Sequence, residues 1–166
     1  MSSVPPVYAP LDSVPGELGR VTRADVVAEA RTWLETPYVH QHRAKSVAVD
    51  CAGLVIGVAR ELALVSADFD ITGYGRSPDG KSLVETCDRF MSRVRLGDLK
   101  PGHVVVIRWE RDPQHMGILG DYLIGGLSLI HALGTVDGKG RVVEHRLNAQ
   151  TLAKVIRGYA LPGVQS

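Results

Sequence analysis

The apolar pattern of this chain changes period once, at Pro101, and that change removes most of the ways it can fold. Before Pro101 apolar residues recur at helical spacing; after it they form short β-rich runs separated by turn residues. The runs cover residues 103–109, 115–119, 128–133, 142–147 and 156–161. Helices first and strands afterwards make an α+β chain and not a βαβ winding. With no linker or repeat, the 166 residues read as one domain over 21–166, preceded by an extended, proline-rich arm over 1–20.

Three helices are expected. Thr22 followed by Asp25 marks a start, and Val26, Val27, Ala30, Trp33 and Leu34 continue one face to a stop before Pro37. A polar loop over 38–49 leads to Asp50, a good N-cap, after which Cys51, Leu54, Val55, Val58 and Leu62 form a second stripe. A glycine-rich loop over 66–80 precedes the third, on Leu83, Cys87, Phe90, Met91 and Val94.

Charge excludes some partners. The formal net charge is +1, and no segment concentrates Lys and Arg between aromatics, so neither nucleic acid nor an anionic membrane is an expected partner. The most apolar stretch, 117–133, is broken by Asp121 and Tyr122 and is no membrane span. Met1 to Pro10 has neither a basic n-region nor an apolar h-region, so no signal peptide is expected and the chain is expected to be made in the cytoplasm. Two cysteines do not build a disulfide scaffold, although a single Cys51–Cys87 bridge stays open.

Of the two thiols, Cys87 sits inside an apolar stripe and reads as an inert core residue, whereas Cys51 opens a helix. A thiol attacks as thiolate, and a helix N-terminus and a nearby imidazolium both lower its pKa. Asp50 opposes that and needs another reason to be there. Among six histidines, His115 and His131 lie in expected strands, where alternation can aim both at one site. Cys51 as nucleophile, His115 as base and His131 as the group that orients the base form a triad, because a neutral imidazole can hold a second imidazole as a carboxylate does. His131 as a satisfied core histidine is the bland alternative. His40 and His42 form a lone H-x-H, too little to specify a metal site, so neither metal nor cofactor is expected.

Asp50-Cys51-Ala52-Gly53-Leu54-Val55, then His115-Met116-Gly117-Ile118, then Ile130-His131-Ala132 resemble, in chain order, the NlpC-type papain-like cell-wall cysteine peptidases. Thr36-Pro37-Tyr38-Val39-His40-Gln41, Gly57-Val58-Ala59-Arg60-Glu61, the segment 73–80, Val142-Val143-Glu144-His145 and Tyr159-Ala160-Leu161-Pro162-Gly163 resemble the branch found in phage tails and gene transfer agents.

The resemblance implies a papain-like fold, with N-terminal helices on a C-terminal antiparallel sheet and the nucleophile at a helix N-terminus. It also implies hydrolysis of a peptidoglycan stem-peptide amide, between D-glutamate and a diamino acid, through a thioacyl-enzyme. Asp50 and Tyr38 would bind the substrate's free amine end, Tyr38 alternatively polarising the scissile carbonyl, and Gln41 is a candidate oxyanion donor or an ordinary loop residue. Tail-tip proteins would be the partners, and a phage or phage-like tail would carry the chain to the host wall. The two glycines that often follow Pro-Tyr are absent, and two further positions depart from the pattern: Ala52 stands where Ser is usual, and His103 where Asp is usual. They motivate the alternative of a tail-assembly module with little activity. A zinc hydrolase built on Cys51, His115 and His131 is a third reading.

Overall fold

The computed structural model describes residues 19–77 and 79–165. The arm expected over 1–20, except its last two residues, lies outside the described residues, as does Pro78.

Helix α1, Arg23–Arg31, starts where its cap requires. The Thr22 hydroxyl accepts from the Asp25 N–H, and the Asp25 carboxylate accepts from the Thr22 N–H at 2.8 Å, a reciprocal capping box. Trp33 falls in the turn beyond the helix, buried, with its indole N–H donating to Glu29 Oε1 at 3.0 Å. Helix α2, Cys51–Glu61, begins at Asp50, whose carboxylate accepts from the Gly53 N–H at 2.8 Å. α2 meets the turn after α1 at Gly57, where a Cβ would lie 2.2 Å from Trp33 Cη2. The loop between them folds back on itself in a small hairpin, β1 Arg43–Ala44 with β2 Ala48–Val49.

Helix α3, Ser82–Phe90, ends before the stripe expected for it, because Met91 is already extended and Ser92–Val94 form strand β3. Val94 pairs with Gly158 in strand β8, Val155–Ala160, and sheet hydrogen bonds decide the conformation of a segment whose apolar spacing alone reads as helix.

The remaining strands are β4 Val104–Arg108, β5 Pro113–Asp121, β6 Leu127–Leu133 and β7 Arg141–Arg146, with a short helix α4, Ala149–Leu152, before β8. They form a six-stranded antiparallel sheet in the order β3-β8-β4-β5-β6-β7. Val104, Val106, Met116, Ile118, Ile130, Ala132 and Val142 pack with α1 and α2. Val105, Ile107, Leu119, Leu129, Leu147 and Val155 form a second cluster, so β4 is apolar on both faces.

Register places the histidines. His115 pairs with Ile107 and His145 with Leu129, while His131 lies two residues beyond Leu129 on its own strand. Cross-strand partners and alternate residues share a face, so His115, His131 and His145 all belong to the face of the second cluster.

Candidate active site

Three rings on successive strands form a hydrogen-bonded row. His115 Nε2 lies 2.6 Å from His131 Nδ1, and His131 Nε2 lies 2.8 Å from His145 Nε2. The far end of the row is tied to backbone, His145 Nδ1 lying 3.1 Å from the Arg146 carbonyl oxygen. Successive rings stand nearly edge to face, with centroids 4.9 and 4.8 Å apart, and the Trp109 indole lies 5.9 Å from the His115 ring on another side. His115 and His131 are buried and His145 is half-buried. Burial, then the charge of His145, holds His115 down to about 4; burial, then His115 and His145, holds His131 down to about 3. Both rings are therefore neutral near pH 7, and His115 is able to accept a proton.

Cys51 opens α2 and packs against the first cluster, beside Met116 of β5. The backbone N–H groups of Met116, Ala52 and Cys51 itself interact with its sulfur, and Met116 is the neighbour of His115 in β5. No hydrogen bond joins the thiol to the His115 ring in this structure. Helix position was expected to lower the thiol pKa, but burial, then the charge of Asp50, pushes it up to about 11 against those N–H groups. The resting pair is a thiol and a neutral imidazole, not an ion pair. Cys87 is also a free thiol, on the buried face of α3 as its stripe implies.

Asp50 corrects the sequence reading. Its carboxylate is 1% exposed, and its Oδ1 accepts from the Gly53 N–H at 2.8 Å and Arg43 Nη1 at 3.1 Å. Its Oδ2 accepts from the Gln41 N–H at 2.7 Å and the Tyr74 hydroxyl at 2.6 Å. Four donors occupy the acceptor sites of this carboxylate, Arg43 among them as its ion-pair partner, so Asp50 has no open position for a substrate amine here. It is the N-cap of α2 and the post to which two loops are tied. Arg43 extends the tie, donating from Nη2 to Tyr74 Oη at 2.7 Å and the Ile71 carbonyl at 2.9 Å, and from Nε to Asp70 at 2.9 Å.

Gln41 serves the same network. Its side-chain amide donates to the Tyr74 carbonyl at 2.6 Å, which agrees with the ordinary loop role weighed for it, and its backbone sits in the left-handed region at φ 59°. Tyr38 is close to the site: burial first, then the charges of Cys51 and Asp50, raise its pKa. Its ring covers Gly134, where a Cβ would come within 3.1 Å of Tyr38 Cε1.

His103 also gains a reason. Its Nδ1 accepts from the Lys100 N–H at 3.1 Å across a turn closed by Gly102 at φ 88°, a bond an Asp carboxylate at this position could also make. The zinc reading fares less well, since the facing nitrogens of His115 and His131 are directed at each other rather than at a shared point.

Arg43, Tyr74 and His145 were not chosen as site residues from sequence. Arg43 had no signal in a polar loop. Tyr74 and His145 each lie inside a segment that carries the family resemblance, and His145 occupies a strand position on the same face as His131.

No family model matches the sequence, and no curated protein does. Solved structures match its shape. The NlpC/p60 domain of the peptidoglycan hydrolase SagA aligns over 85% of this chain and 100% of its own, at 21% identity and a TM-score of 0.57. The fold is the papain-like α+β fold of NlpC/p60 domains. An N-acetylmuramoyl-L-alanine amidase from Bacteroides uniformis aligns over 84% of this chain and 98% of its own at 16% identity and a TM-score of 0.52. A lipoprotein-like protein of the same family from Staphylococcus aureus aligns over 93% of this chain and 45% of its own, at 16% identity and a TM-score of 0.56, so this chain spans less than half of it.

Proposed function

We propose that this chain is a cysteine hydrolase acting on a peptidoglycan stem-peptide amide, with Cys51 as nucleophile, His115 as base and His131 as its orienting partner. The observation that carries this reading is the couple between buried, neutral His115 and His131, set on strands beside a thiol at the N-terminus of α2. Structural similarity to cell-wall hydrolases of the same fold supports the substrate class.

In the reaction the Cys51 sulfur bonds to the scissile carbonyl carbon as its proton passes to His115. The backbone N–H of Cys51 donates to the developing oxyanion, with the Tyr38 hydroxyl as the side-chain candidate. His115 returns the proton to the leaving amine nitrogen, and the C–N bond breaks to leave a thioester. Water, deprotonated by His115, then releases the acid and restores the thiol. A thiol raised by burial and by Asp50 favours proton transfer concerted with attack, as in a serine hydrolase.

The bond is read as that between D-glutamate and a diamino acid, and delivery as by a phage or phage-like tail; both rest on the sequence motifs. Mass spectrometry of muropeptides after incubation with the reduced protein tests the activity: cut stem peptides are expected, and none with C51A. A second reading, a tail-assembly module with little activity, is favoured by the raised thiol pKa and the occupied Asp50; intact muropeptides would select it.

A further inference from the structure

The histidine row continues past the triad, and its last bond has only one possible direction. A carbonyl oxygen can only accept, so the 3.1 Å contact between His145 Nδ1 and the Arg146 carbonyl places the hydrogen on His145 Nδ1. A neutral His145 then carries a lone pair on Nε2 and must accept across the 2.8 Å contact, so the hydrogen of His131 lies on Nε2. His131 Nδ1 is in turn an acceptor, and the 2.6 Å contact places the hydrogen of His115 on Nε2. His115 Nδ1 is left as its basic nitrogen.

Resting on the hydrolase reading, we infer that His145 is a positioning residue which, through the Arg146 carbonyl, fixes the tautomers of His131 and His115 and keeps His115 Nδ1 free to take the Cys51 proton. Without an acceptor at position 145, His131 loses the partner that holds its hydrogen on Nε2. It can then turn its hydrogen toward His115, which must respond by protonating the nitrogen the reaction needs. The burial that keeps His115 and His131 neutral makes a tautomer, and not a charge, the variable at stake.

Long-range proton–nitrogen correlation spectra of histidine-labelled protein at pH 8 read the tautomers directly, without any need for activity. His115 and His131 are expected as Nε2–H forms and His145 as the Nδ1–H form; His115 seen as its Nδ1–H form in the wild type overturns the inference. In His145→Leu the His115 signals are expected to shift toward the Nδ1–H form, and kcat to fall roughly 10- to 100-fold with KM little changed. His145→Gln, whose amide oxygen can accept from His131, is expected to recover most of kcat. A leucine variant with wild-type tautomers and kcat overturns the inference. Should His145→Leu fail to fold, the wild-type spectrum still decides. The expected tautomers in a protein that cuts no muropeptide would leave the row standing and remove the hydrolase reading.

Discussion

His115 Nε2 lies 2.6 Å from His131 Nδ1, with both rings buried. Their pKa values fall to about 4 and about 3, so below pH 6.5 the unfolded chain binds protons the folded chain refuses. Stability is full above pH 6.5 and is lost as pH falls toward those folded values. Between pH 6.5 and 5 each histidine is expected to remove about 2 kcal/mol. Urea denaturation at pH 7 and pH 5 measures this, and H131N should lose its share of the slope; equal stability at the two pH values would show that the rings are not dehydrated.

Asp50 is the second-largest cause of the raised Cys51 pKa. Replacing it by Asn keeps an oxygen for the Gly53 N–H but removes the charge, so D50N is expected to titrate its thiol at lower pH. Iodoacetamide rates against pH read this: the wild-type rate should still be rising above pH 9, and the D50N profile should lie to its acid side. The same variant leaves Arg43 short of one carboxylate and should cost about 1–3 kcal/mol in denaturant. Superimposed alkylation profiles would contradict the electrostatic part.

Gly57 fits α2 against Trp33. A methyl at this position would lie 2.2 Å from Cη2 of a buried indole, so G57A must push the ring or separate the helices. A loss of about 1–3 kcal/mol is expected by chemical denaturation, with altered Trp33 fluorescence. Unchanged stability would mean that α1 and α2 are less closely packed than described.

What could be read from sequence was what is local. The Thr22 and Asp50 caps, the start of α2 at Cys51 and the apolar runs of β4 to β8 depend on residues a few positions apart, and each lies where its pattern placed it. Val94 shows where locality fails, since its spacing continues the α3 stripe while its backbone pairs with Gly158, far along the chain. Asp50 shows the same for the site: a carboxylate beside a thiol suggested a substrate anchor, and only the approach of Arg43 and Tyr74 from two separate loops reveals an occupied structural post. His145 was missed because nothing in the sequence states that β6 and β7 pair with Leu129 opposite it.

The central claim is that Cys51 is the nucleophile. Stepwise alkylation of the reduced protein tests it most directly, with the fraction of Cys51 modified measured by peptide mass mapping and muropeptide hydrolysis measured on the same samples. Activity is predicted to fall in proportion to Cys51 modification and to vanish at one equivalent, with buried Cys87 unmodified. Hydrolysis that persists with Cys51 fully alkylated, or that is absent before any alkylation, would contradict the account.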